Sequence, residues 1–310
     1  MKIVALAGGV GGAKLVQGLA TILSPEELTV VVNTADDFQH FGLRICPDLD
    51  TVCYTLAGTA NSQTGWGLKR DTWNALQGIQ SLGGPDWFRI GDRDLATHLE
   101  RTRRLDRGEP LSSVMASFCQ RWGVRPRVLP MTDEPVATVL RTNEGELEFQ
   151  EYFVHRQCRP QVASIAFRGI LAASPAPGVV QALRSADAVI FCPSNPWVSI
   201  DPILSVPGIL GAIVPARAMA VTPIVGGHAL KGPAAKMFRE LGLESSAAAV
   251  AGHYGSRIGS FVLDTADADL AARIRASGMR VLVCNTLMPG ISERRRLARE
   301  ILSFMRAGQE

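Results

Sequence analysis

Residues 2–50 read KIVALAGGVGGAKLVQGLATILSPEELTVVVNTADDFQHFGLRICPDLD, and this stretch organises the rest of the chain. An apolar run of strand length, Ile3 to Ala7, empties into Gly8, Gly9, Gly11 and Gly12, after which a helix can start near Ala13. A second apolar run, Leu28 to Val32, ends at Asn33 and a pair of acids, Asp36 and Asp37. The sequence therefore predicts a strand, a glycine turn, a helix and a strand that ends in carboxylates.

Glycines at such a turn let the backbone take left-handed angles and approach a ligand closely, and the helix start behind them offers unpaired N–H groups to an anion. The spacing Gly9-Val10-Gly11-Gly12-Ala13-Lys14 is neither G-x-G-x-x-G nor a loop ending in G-K-[ST]. A mononucleotide or phosphorylated metabolite is thus favoured over NAD or a Walker-type ATPase. The competing reading is that the glycines only allow the helix to pack closely on the sheet. Downstream, Asp48 and Asp50 follow Pro47 and precede a helix expected over Thr51 to Ala57. Together with Asp37 they can converge at one end of a sheet, and carboxylates beside a phosphate loop are what a hard cation such as Mg²⁺ requires. Asp48 alone is equally an N-cap.

From Thr64 to Arg125 the periodicity turns helical, in GWGLKRDTWNALQGIQSL, DLATHLERTRRLD and LSSVMASFCQRWG, which reads as a helical insert in a core made of residues 1–63 and 126–310. Trp66, Trp73 and Trp87 are candidates for an aromatic wall against a planar ligand, or for ordinary packing. Gly91-Asp92-Arg93-Asp94, with His98 a turn later, offers acid–base or polyol- and phosphate-holding groups, or else a plain capped helix start. The basic run Arg101 to Arg107 reads as a solvated helix face or a partner surface, since no nucleic-acid module accompanies it.

The next segments alternate apolar and polar residues across Asn143-Glu144-Gly145, a hairpin with little expected functional content. An apolar strand, Ala188 to Cys192, then runs into Pro193-Ser194-Asn195-Pro196-Trp197. A buried strand ending in a proline-stiffened polar loop is where open α/β sheets place their ligands, although a purely structural turn fits too. Further strand–helix units follow, with His228, Lys231 and Lys236 adding charge after a third strand. The repeated alternation gives the fold class: α/β, a Rossmann-like and mostly parallel sheet with helices on both faces and a helical insert.

Composition agrees with a globular enzyme: 310 residues, 46% hydrophobic, 20% charged, net charge +3. The six cysteines are scattered and never form C-x-x-C, so free thiols are expected rather than disulfides or a zinc site. No apolar stretch is long enough to span a bilayer and no cleavable-signal pattern leads into the glycines, so a cytoplasmic location is expected.

The blocks AGGVGGAKL, NTADDFQHFGLRICPDLDT, GDRDLATH, CPSNPWVSIDPIL and GGHALKGPAAKM, with a final NTLM, occur in the order that resembles the 2-phospho-L-lactate transferase family of coenzyme F420 biosynthesis. The related gluconeogenesis-factor-like proteins are similar in the opening glycines and NTADD, whereas GDRDLATH belongs with the transferases. The resemblance implies transfer of a phosphorylated three-carbon acid from its guanosine diphosphate ester to the deazaflavin alcohol Fo, releasing GMP, with Mg²⁺, in a homodimer. It implies metal roles for Asp37 and Asp50, and catalytic roles for these two with Asp92 and Lys231. Gly9, Gly11, Gly12, Lys14 and Asn33, with Ser194, Asn195 and Pro196, would take the guanosine diphosphate portion, and the insert, with Arg93 and His98, would take Fo. Three positions depart from the family's usual pattern: Ala35 and Asp201 stand where glycine is usual, and His228 where lysine is commoner. A non-catalytic protein that binds a phosphorylated metabolite or nucleotide is the alternative reading.

Overall fold

The computed structural model describes residues 1–229 and 232–308. β1 (Ile3–Ala7) and β2 (Leu28–Val32) pair in parallel, Ile3 opposite Leu28 through Ala7 opposite Val32, and α1 (Gly9–Ala20) connects them. A small hairpin of β3 (Phe38–His40) and β4 (Leu43–Ile45) then carries the chain into α2 (Pro47–Leu56). This helix begins four residues before the expected Thr51, because Pro47 suits a first helical turn whose N–H would be unpaired anyway. Asp48 and Asp50 are therefore first-turn residues of a helix.

The insert contains α3 (Asn74–Ser81), α4 (Asp92–Leu105) and α5 (Leu111–Arg121). The chain rejoins the sheet as β5 (Arg127–Pro130), beside β2. A separate antiparallel sheet follows, with β6 (Ala137–Thr142) between β7 (Gly145–Glu148) and β8 (Val162–Arg168). α6 (Val179–Arg184) leads to β9 (Ala188–Phe191), and α7 (Asp201–Ser205) to β10 (Ala218–Val221). Two-residue strands β11 (Ile224–Val225) and β12 (His228–Ala229) precede α8 (Ala234–Glu240) and α9 (Ala247–Tyr254). β13 (Ser260–Asp264), α10 (Ala271–Arg275), β14 (Arg280–Cys284) and α11 (Ile291–Arg306) complete the described chain.

Seven strands form one parallel sheet in the order β14-β13-β10-β9-β1-β2-β5. Side chains alternate across a strand, so each strand feeds two cores. Ile3, Ala5 and Ala7 of β1, with Ile190 of β9, pack towards α1, α2, α5 and α11. Val4 and Leu6, with Val189 and Phe191, pack on the opposite side with residues of α6, α8 and α9. Strands buried on both faces explain why IVALA and LTVVV read as near-continuous apolar runs. β1 leads towards β2 on one side and has β9 on the other, so the chain direction across the sheet reverses between β1 and β9. At such a switch point the loops after the two strands diverge and leave a crevice.

Candidate active site

That crevice is a cleft of about 560 Å³, lined by the turn after β1, the first turn of α2, the loop after β9 and aromatic residues of the insert. Gly8, Gly9, Gly11 and Lys14 line one end, together with Pro193, Ser194 and Asn195. Only close packing allows this arrangement. A Cβ on Gly11 would lie 2.2 Å from the Pro193 carbonyl oxygen, and one on Gly12 would lie 2.7 Å from Ser194 Oγ. Ser194 Oγ in turn donates to the Gly8 carbonyl at 2.7 Å and accepts from the Gly8 N–H at 3.1 Å. The two readings of the glycines are thus divided by position: Gly12 serves helix–sheet packing, while Gly9, at φ +59°, turns the backbone to face the cleft. The start of α1 carries no acidic residue of its own; Asp48 takes the Gly9 N–H, and the later N–H groups of the first turn are the donors an anion could meet.

Four acids line the cleft: Asp36, Asp48, Asp50 and Asp94. Asn33, fully buried, holds Asp48. Its Nδ2 donates to Asp48 Oδ2 at 3.0 Å and to the Val198 carbonyl at 3.1 Å, while its Oδ1 accepts from the Ala35 N–H at 3.0 Å. The other Asp48 oxygen accepts from the Gly9 N–H at 2.7 Å. Burial pushes the Asp48 carboxyl up to about 6, against the pull of the Asn33 and Gly9 hydrogen bonds. Burial, then the neighbouring Asp48 charge, raises Asp36 well above the usual carboxylate range.

Asp50 links the acids to the insert. Its Oδ1 accepts from Arg101 of α4, a side chain with no exposure, and the Arg101 Nη1 also reaches His98 Nδ1 at 3.3 Å. A guanidinium only donates, so Nδ1 of His98 accepts and its Nε2 proton faces Asp94 Oδ1 at 3.5 Å. Tyr54 of α2 donates to the same Asp94 oxygen at 2.7 Å. Burial raises Asp50 despite the attraction of Arg101 and His98, whereas the His98 and Tyr54 hydrogen bonds outweigh burial at Asp94 and lower it. The reading of Arg101 as part of a solvated basic face is corrected: it is the buried counter-ion of Asp50, behind Asp94 and His98, which line the cleft.

A divalent cation fits this chemistry. Asp36 Oδ1 and Asp50 Oδ2 are buried and lack any hydrogen-bond partner, and both residues line the cleft. Asp50, Asp94 and His98 also bring one ligand atom each within 4.8 Å of one another. Asp50 belongs to both sets, so it is the carboxylate that a hard cation would complete there.

The far end of the cleft is aromatic: Trp66, Trp87, Phe88, Phe149 and Phe153. Trp73 stands behind this wall, in edge contact with Trp66 and under the guanidinium of Arg89 at 4.4 Å. The expectation that the segment after the Asn143 hairpin carries little function is corrected, since Phe149, Gln150, Phe153 and Val154 all line the cleft.

Several expected site residues stand elsewhere. Asp37 lines a second cavity rather than the cleft. Asp92 is half-buried and caps α3, accepting from Thr72 Oγ1, the Asn74 N–H and side-chain amide, and the Ala75 N–H, with the Thr72 bond foremost in holding its carboxyl down at about 2. Among the described residues the Arg93 guanidinium donates to the Lys69 carbonyl at 3.2 Å. Asp71 answers by capping α4 through the N–H groups of Arg93 and Asp94, so the capping reading of the Asp92 segment accounts for Asp92 itself. Pro196 is buried behind the loop, and Lys231 lies outside the described residues. Ala35 needs no positive φ, Asp201 is tied to His253 and Arg257, and His228 is exposed. Tyr54 and Ser199 were not singled out, Asp94 was read only as one of the 91–94 cluster, and Asp36 only as one of an acid pair. The doublet at 36–37 was the available signal for Asp36, but a turn after β2 hides which of two adjacent acids faces inward.

Residues 3–298 match the family described as 2-phospho-L-lactate transferase CofD. A phosphoenolpyruvate transferase of Streptomyces coelicolor is 43% identical over 98% of each chain, and one of Streptomyces griseus is 44% identical over the same shares. One of Thermobifida fusca is 44% identical over 87% of this chain and 88% of that one. Among solved structures, a Bacillus halodurans protein of the upf0052 family superposes with a TM-score of 0.62 at 15% identity, covering 97% of this chain and 98% of that one, which is a likeness of fold. No helix of the described residues is long and apolar enough to cross a membrane.

Proposed function

The chain belongs to the 2-phospho-L-lactate transferase family, a family of transferases in coenzyme F420 biosynthesis, and from that premise we propose that it joins a phosphorylated three-carbon acid to the ribityl hydroxyl of the deazaflavin Fo. The donor is the guanosine diphosphate ester of that acid and the leaving group is GMP. Phosphoenolpyruvate is the acid favoured among 2-phospholactate, phosphoenolpyruvate and 3-phosphoglycerate, because the relatives that align over nearly the whole chain carry that name. The observation that carries the reading is one cleft whose lining brings together the start of α1, the Ser194–Asn195 loop, a group of acids and an aromatic wall.

In this reading the first turn of α1 and the Ser194–Asn195 loop hold the diphosphate, and the flat deazaflavin lies against Trp66, Trp87 and Phe153. The hydroxyl then meets the phosphorus between these ends, where alignment itself lowers the barrier. Asp48, with a carboxyl near 6, accepts the hydroxyl proton. Asp36 and Asp50 would hold Mg²⁺, which when bound neutralises charge on the phosphoryl oxygens and the departing GMP. Arg101 favours the ionised form of Asp50 against the effect of burial, and Asn33 holds Asp48 through its Oδ2. A homodimer remains the expected assembly.

Mass spectrometry of the purified protein with Mg²⁺, Fo and each guanylylated acid tests the assignment. A new Fo phosphodiester and GMP, with the phosphoenolpyruvate donor turned over fastest, is the expected result. Intact Fo and donor in the presence of folded protein would move the non-catalytic binding reading to first place.

A further inference from the structure

Fixed positive charge is sparse in the cleft. Among the described residues that line it, Lys14 and Arg89 carry such charge, Lys14 on α1 and Arg89 next to Trp87 and Phe88 in the chain. Arg89 is exposed, and its guanidinium lies 4.4 Å from the centre of the Trp73 ring, which in turn meets Trp66 edge-on. Stacking on an indole holds a guanidinium flat and leaves its N–H groups free to donate, and the group stays charged at every pH a folded protein meets.

The other charges of this part of the cleft are committed to the protein. Asp71 accepts from the N–H groups of Arg93 and Asp94, and Asp86 accepts from Gln80 Nε2 at 3.2 Å. Asp92 is occupied by its cap on α3, and Arg93 by the Lys69 carbonyl. His155, stacked on Trp87, is held by Glu151 at 2.8 Å. The Arg89 guanidinium itself enters no ion pair and no hydrogen bond among the described residues. A cation left unpaired on an aromatic wall calls for a planar ligand with negative charge at its rim.

Fo has that form in one of its two protonation states. Its ring hydroxyl is conjugated through the deazaflavin to the pyrimidine carbonyls, so it is a vinylogous acid whose anion spreads its charge across the ring. We propose that Arg89 is a specificity-determining residue that takes Fo as this anion, donating to an oxygen at the rim of the ring. Its role rests on Fo being the acceptor, as read above, and adds the charge state in which the acceptor is held. The proton passes to solvent as Fo binds, so the transfer itself is unchanged. A flavin that lacks the ring hydroxyl gains nothing from Arg89.

Absorbance titration of Fo against pH, free and with the full chain in excess, reads the charge state without any turnover. The bound ring hydroxyl is expected to ionise about one pH unit or more below that of free Fo, a preference of about tenfold for the anion. Arg89→Gln, shown folded by its thermal transition, is expected to remove that shift. It should also weaken Fo about tenfold or more at a pH where free Fo is ionised, while affinity for the 8-O-methyl ether of Fo changes by less than about twofold. Arg89→Lys should keep part of the shift, because the charge remains and the planar fork is lost. A bound hydroxyl that ionises at or above the free value, or equal loss of Fo and of its ether in Arg89→Gln, would overturn the role of Arg89 and leave the acceptor reading standing. Absence of any Fo binding by the folded parent chain would remove the acceptor reading and this role with it.

Discussion

At the scale of single residues, neighbouring acids of similar appearance have different work, set by which way each side chain leaves the backbone. Asp36 and Asp50 line the cleft and each carries one buried, unpartnered oxygen, Asp92 caps a helix, and Asp37 lines another cavity. Asp36→Asn and Asp50→Asn are each expected to lower transfer roughly a hundredfold or more and to abolish the heat of Mg²⁺ binding, while Asp92→Asn retains both. Calorimetry with Mg²⁺ and initial rates check this together. Asn33→Ala should cost about 1–3 kcal/mol, since it leaves the Val198 carbonyl and the Ala35 N–H without their partner inside the protein. The midpoint of a urea titration, at unchanged slope, is the measurement. Gly11→Ala puts a methyl group on the Pro193 carbonyl, so the loop after β9 has to move, and the Michaelis constant for the donor is expected to rise before that for the acceptor.

Among the elements, α4 decides how the insert meets the core. Arg101 projects from it to Asp50 on α2, and the ion pair is entirely buried. Arg101→Met strands the Asp50 charge in the interior, at a cost of about 3–5 kcal/mol. The sign of the pH effect follows. In that variant the Asp50 carboxyl is raised further above its unfolded value, so the loss is small at acid pH, where Asp50 is protonated, and full at neutral pH. Denaturation midpoints at acid and neutral pH should therefore diverge more for the variant than for the parent chain. The aromatic wall gives a second test: Trp87→Ala is expected to raise the Michaelis constant for the deazaflavin roughly tenfold while leaving that for the donor unchanged. Equal changes in both constants would remove the wall from the acceptor site.

For the whole molecule, the acids at the switch point make stability depend on cation and pH together. Folded Asp36 and Asp48 titrate above their unfolded values, so their protonated forms favour the fold at low pH and this advantage is lost as pH rises, for Asp48 between about 4 and about 6. For Asp48 alone the span corresponds to about 3 kcal/mol. The melting temperature in EDTA is expected to fall over that interval relative to the same protein in Mg²⁺, and a gap that does not widen with pH would argue against a cation at these acids. Much of this architecture was legible in the chain itself. IVALA and LTVVV are strands at the residues expected, because side chains buried on both faces of a parallel sheet leave an unbroken apolar record. The glycine turn, the Ser194 loop and the helical nature of the insert were legible for similar local reasons. Tertiary structure alone decided that Asp36 and not Asp37 enters the cleft, that Arg101 is a buried counter-ion within a run of arginines, and that Phe149 and Phe153 close a wall begun by Trp66 and Trp87. Local periodicity records which face of an element is apolar. Where a loop turns, and which distant charge meets which, depends on contacts between segments far apart in sequence, and no local pattern carries that information.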